Sequence, residues 1–257
     1  MPIQDTNFFT GNTKKYWDLI FTDMKPLLLR LSEDATSRKI LEESIFDSFV
    51  GVEVKRAPSP IKPTKNELFL ANTLFRPLVE ITSSYESLHN IPIYIRRFPY
   101  SREGITHTTY MRYNVENYLS ELYILKERLN GYINRLIKTY ANSKDFKKRK
   151  DALSILRKSI ENAFKGYSNA RGSHIHEYRY DDFDLNRLSL FEQLIRGSAT
   201  DELTVLVKKL HRKTMSEVKR KWITKMTEDI SAIKSLLDLF FSVMYSITSS
   251  NGRIDYP

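Results

Sequence analysis

The sequence predicts an all-α fold: an up-and-down bundle of long helices with an N-terminal helical extension. Three observations predict it. Only 8 Gly and 9 Pro fall in 257 residues, which leaves long stretches without helix breakers. From Thr108 onward, Val115, Tyr118, Leu122, Leu125, Leu129, Tyr132, Leu136 and Tyr140 recur at spacings of three and four, the period of one helix face. Phe146, Leu153, Leu156, Ile160, Phe164 and Tyr167 repeat the theme. Asn142-Ser143 separates the two patterns, so a pair of long antiparallel helices joined by a short turn is expected.

The elements around this hairpin follow in order. Residues 1–50 read as the extension, with helices over "KKYWDLIFTDMKPLLLRL" and "SEDATSRKILEESIFDSFV". Ser32 is the expected cap of the second, with Glu33 and Asp34 favourable in its first turn. Residues 51–66 carry three prolines and read as a linker, because each proline removes a helical donor. Residues 67–257 then form the bundle. It opens with a helix over 67–90 that Pro77 kinks or divides, and "IPIYIRRFPYSREGITH" (91–107) reads as an extended arm. After the hairpin, 182–195 gives a short helix ended by Gly197-Ser198. A final long helix, capped by Ser198 or Thr200, runs to about Ser249.

Composition narrows the chemistry. With no cysteine, disulfides, thiol nucleophiles and thiolate metal sites are excluded, which suits a reducing compartment. The N-terminal residues show no basic segment followed by an apolar run. The most apolar tract, Leu236 to Ile247, is short for a bilayer span and contains Asp238. The expectation is a cytoplasmic soluble protein that makes no membrane contact. A net charge of +10 points to an anionic partner such as RNA. The densest basic stretch, Lys208 to Lys225, sets eight Lys or Arg against the single acid Glu217. Within it Lys208, Lys209, Arg212, Lys213, Lys219, Arg220 and Lys221 are the candidate nucleic-acid contacts; the competing reading is a solvated helix.

Candidate catalytic residues cluster in "NARGSHIHEYRYDD" (169–182), where Arg171, His176 and Tyr178 spell R-x4-H-x-Y. Arginine is always charged and forks onto phosphate, and histidine transfers protons near neutrality. A second Arg-to-His match, Arg102 to His107, has no tyrosine two residues later and no long amphipathic helix before it. The Arg171 motif has both, and so resembles the signature of HEPN domains, an all-α family that includes many metal-independent ribonucleases. The form with tyrosine is similar to toxins of HEPN and nucleotidyltransferase pairs. The likeness covers the motif and, in helical layout, roughly 108–249.

The resemblance implies a HEPN-like bundle acting as a homodimeric endoribonuclease that cleaves RNA by 2′-hydroxyl attack, without cofactor or metal. Arg171 would stabilise phosphate charge, His176 or His174 would move protons, and Tyr178 would shape the cleft. It also implies a nucleotidyltransferase antitoxin as partner, with Tyr178 the target of nucleotide transfer. The alternative is a non-catalytic HEPN-like module that binds nucleic acid or protein, or a plain polar turn in which His174 and His176 are satisfied by nearby acids. Gly172 departs from the polar residue the family often places after the arginine. On a straight helix Arg171 and His176 stand about 140° apart, whereas Arg171, His174 and Tyr178 share a face. A helix break at Gly172 would restore the Arg171–His176 pairing; without it His174 is the nearer partner. The two histidines diverge on a helix, so no metal site is expected. His89 and His211 read as ordinary capping or surface residues.

Overall fold

A computed structural model describes residues 10–40, 43, 61–97, 104–176, 182–197 and 201–257, with 168–176 and 201 described in the backbone only. The described chain is an all-α bundle. Its helices are α1 (Gly11–Glu33), α2 (Lys65–Phe69), α3 (Arg76–Arg96), α4 (His107–Thr139), α5 (Phe146–His176), α6 (Phe183–Gly197) and α7 (Asp201–Thr248), and a π-helical turn, Leu70–Phe75, joins α2 to α3. Two compact units form, one from Met1–Val79, Arg135–Lys150 and Asp238–Pro257, the other from Glu80–Asn134 and Asp151–Leu237.

The hairpin follows its sequence pattern closely. All eight apolar positions read from Val115 to Tyr140 are buried, as are Leu153, Leu156, Ile160 and Phe164 on α5. A turn over 140–145 reverses the chain. The pairing is antiparallel: Asn130 Nδ2 donates to Glu161 (2.8 Å), while Arg157, earlier on α5, donates to Asn134, later on α4. Within the second unit α5 and then α6 run antiparallel along α7, since Tyr167 meets Lys225, Asp184 meets Lys221 and Glu192 meets His211.

The prolines act differently from expectation. Pro77 does not divide the helix; the turn before it widens. The Arg76 amide donates to Ala71 O, five residues back, and this π turn gives the Pro77 ring room. The Asn72 carbonyl, left without an amide donor, is taken by the Arg135 guanidinium. The segment read as an extended arm is helical through Arg96, with Pro92 inside α3. Burial of Ile91 and Ile95, one turn apart, overrides their β-propensity.

Ser32 does not cap the next helical stretch, 35–40. Its hydroxyl donates back to Leu29 O, and the Asp34 carboxylate accepts from the Ser37 amide at 2.6 Å, which holds that carboxyl below its ordinary value. Thr64 and Glu67 form a reciprocal capping box at the start of α2. After α7 a short hairpin, β1 (Ser249–Ser250) with β2 (Arg253–Ile254), turns on Asn251-Gly252, both at positive φ as a type I′ turn requires.

By length and composition α7 contains a stretch apolar enough to cross a membrane, longer than the Leu236–Ile247 tract alone. In the first unit its Phe240, Phe241, Met244 and Ile247 are buried, and Tyr16 stacks on Phe241 at 5.6 Å. Asp238, the charge in that tract, accepts from the Asn12 and Thr13 amides at 2.6 and 3.2 Å, capping α1 from another helix.

Candidate functional site

The residues of the R-x4-H-x-Y motif fall at the end of α5. The backbone of Arg171, His174 and His176 is helical and continuous, so Gly172 does not interrupt the helix. The spacing of 3.6 residues per turn then sets positions 171 and 176 about 140° apart around the axis and positions 171 and 174 about 60° apart. His174 is therefore the nearer helical partner of Arg171. Their side chains, and Tyr178 altogether, lie outside the described residues.

The basic residues of α7 divide by environment. Lys208, Lys209, Arg212, Lys213 and Arg220 are exposed. Lys221 pairs with Asp184 at 2.6 Å, which raises its pKa, and Lys219 donates to the Arg96 carbonyl at 2.9 Å. The last two are tied to other helices of the unit. In the other basic run, "KKRK", Arg149 pairs with Asp255 at 2.6 Å and stacks on Tyr140 at 4.4 Å, so this arginine holds the segment after α7 to the hairpin turn.

A second constellation stands in the second unit, built from residues the sequence reading set aside. Thr106 caps α4, its hydroxyl accepting from the Thr109 amide at 3.1 Å, and this cap makes His107 the first helical residue. The His107 ring meets His211 of α7 edge to face, centroids 6.3 Å apart. His211 is 13% exposed, not a surface residue, and its Nε2 stands 3.5 Å from Glu192 of α6. That separation is an ion-pair distance when His211 is protonated and too long for a hydrogen bond, so Nε2 is buried without a hydrogen-bond partner. Glu192 Oε1 also accepts from the Thr108 amide at 3.1 Å, carrying a carboxylate onto the first turn of α4. Burial, with His211 and Lys219 adding like charge, holds the His107 pKa below its ordinary value, while Glu192 pulls the other way.

Two cavities of about 310 Å³ each flank the histidine pair. One is lined by Ile95, Tyr110, Met111, Arg212, Met215, Ser216 and Lys219 together with both histidines. The other holds Glu192, Arg196 and Ile195 beside the pair. The sequence signal for this site was weak: one histidine followed a glycine-containing loop and the other sat among lysines, 104 positions away. Only the parallel run of α4 beside α7, with Tyr118 donating to Asp229 at 3.2 Å as His107 meets His211, brings them together.

Among the described residues no group of three or more His, Cys, Asp or Glu has a geometry that could hold a metal ion. Comparison with known protein families, with characterised proteins and with solved structures finds no match.

Proposed function

We propose that the protein is a HEPN-like, metal-independent endoribonuclease of the toxin or defence type, working as a cytoplasmic homodimer. The observation that carries this reading is the conjunction of Arg171, His176 and Tyr178 with the end of a long amphipathic helix in an all-α bundle. In the proposed reaction a histidine takes the 2′-hydroxyl proton, and the resulting oxygen attacks the adjacent phosphorus. Arg171 stabilises the added charge on the phosphorane, and a second histidine returns a proton to the departing 5′-oxygen. A two-fold dimer supplies two copies of each group to one cleft. The unbroken helix at Gly172 favours His174 as the helical neighbour of Arg171, with His176 on a different face. Tyr178 remains the proposed target of a nucleotidyltransferase partner.

The test is cleavage of total RNA in EDTA by the parent protein and by Arg171→Ala, His174→Ala and His176→Ala. Loss of Arg171 and of one histidine is expected to slow cleavage about 100-fold or more. If all three variants cleave as fast as the parent, the reading fails. A second reading, a non-catalytic nucleic-acid binder, is favoured by the exposed Lys208, Lys209, Arg212 and Lys213 on α7. Its mark would be RNA affinity that survives Arg171→Ala but weakens, with a shallower salt dependence, when those four are neutralised.

A further inference from the structure

We propose that the cavity between α3, α4 and α7, beside His107 and His211, binds a small organic phosphate: an anionic head joined to an apolar, planar body. The charge of the lining argues first. Arg212 and Lys219 reach the cavity, both histidines border it, and none of its described lining residues is acidic. Glu192 opens on the other cavity and is engaged by the Thr108 amide. A cavity walled by fixed positive charge and titratable imidazoles favours an anion, and guanidinium pairs with phosphate in bidentate geometry.

The apolar side argues second. Ile95, Met111 and Met215 form a hydrophobic wall, and two methionines adapt to ligand shape better than branched side chains do. The Tyr110 ring borders the same space, its hydroxyl spent on the Tyr94 carbonyl at 3.1 Å, so that the ring is fixed for stacking. A volume of about 310 Å³ admits a one- or two-ring body with one phosphate.

Preorganisation argues third. Lys219 is held by the Arg96 carbonyl, and His211, about two turns earlier on α7, keeps Nε2 buried with no hydrogen bond. A lysine already fixed in place loses less conformational freedom when an anion binds beside it. The site lies apart from Arg171 in sequence and is independent of the ribonuclease reading.

The experiment is calorimetric titration of the full chain with 1-naphthyl phosphate, 1-naphthol, 1-naphthoate and inorganic phosphate. Naphthyl phosphate is expected to bind at least about tenfold more tightly than any of the other three. Arg212→Gln, an exposed position, is expected to weaken it about tenfold or more without changing the thermal midpoint. Met111→Ala tests the apolar wall and Lys219→Gln the fixed cation. Arg171→Ala and His176→Ala should leave this binding unchanged, so failure here and failure of RNA cleavage are separate results. Equal binding of 1-naphthol overturns the anion assignment, equal binding of 1-naphthoate overturns the phosphate head, and equal binding of inorganic phosphate overturns the apolar body. Absence of binding by naphthyl phosphate, or binding unaffected by Arg212→Gln, overturns the site.

Discussion

In the first compact unit Asp238 takes up donors of the opening turn of α1, and Arg149 both stacks on Tyr140 and pairs with Asp255. In the second, His211 borders both cavities and its Nε2 is buried without a hydrogen bond, although the Glu192 carboxylate stands 3.5 Å away. The first unit is not free of orphaned atoms, since Ser143 Oγ and Arg149 Nη1 lack partners too. The Arg149 group is nonetheless anchored through Nη2 and its ring contact. Asp238 and Arg149 thus hold the first unit together through paired polar groups, while His211 Nε2 in the second meets only the Glu192 carboxylate, at 3.5 Å. That difference marks the second unit as the place to look for ligand chemistry.

The largest effect that can break the comparison lies at Asp238. Its Oδ1 serves the Asn12 and Thr13 amides and its Oδ2 the Asn12 side chain at 3.1 Å. The close approach depends on Gly11, whose φ is +61° and where a Cβ would stand 2.7 Å from the carboxylate. Asp238→Ala is expected to cost about 1–2 kcal/mol in urea unfolding, the worth of a part-buried cap, with naphthyl phosphate binding unchanged. Should it cost nothing, the first unit's polar contacts are not what close it.

A smaller effect sharpens the contrast through pH. His107 has its pKa held below 6.5 in the folded chain by burial and by His211 and Lys219, with Glu192 opposing them. Between that lowered value and 6.5 the unfolded chain binds the proton more readily than the folded chain, so stability rises with pH across this window. The contribution is complete above pH 6.5 and is lost as pH falls below it. His107→Gln is therefore expected to flatten the thermal midpoint between pH 7 and 5. A bound phosphate, which favours the charged imidazole, should flatten it in the parent protein as well. An unchanged slope in His107→Gln places the pH sensitivity elsewhere.

The same division governs what the sequence made legible. Every apolar position of the Val115–Tyr140 ladder is buried, because a period of three and four states a helix face directly and needs no knowledge of its partner. Ile91–Arg96 is helical against expectation because β-branched residues and Pro92 describe local preference, and the burial of Ile91 and Ile95 decides otherwise. The cap of residues 35–40 falls at Asp34, two residues beyond Ser32, since both are good caps and only geometry chooses between them. The hairpin after α7 is absent from the reading of the sequence, although the Asn251-Gly252 dipeptide is the signal that finds a type I′ turn. The motif at Arg171 was legible as a pattern of residue types. The histidine pair was not, because nothing local links position 107 to 211; their meeting is a property of how α4 and α7 align.

The smallest expected effect discriminates most sharply. If His211 were a structural residue, removing it would leave a loss of about 1–3 kcal/mol, as for a buried hydrogen-bonded group. Its Nε2 has no hydrogen bond, and the Glu192 carboxylate beside it keeps the Thr108 amide whichever side chain stands at 211. Leucine fills a similar volume and removes the desolvated nitrogen. His211→Leu is therefore expected to leave stability within about 0.5 kcal/mol of the parent or to raise it slightly. The same variant is expected to lose naphthyl phosphate affinity. A loss of stability above about 1 kcal/mol would place His211 among the groups that hold the bundle together, and the contrast between the two units would disappear.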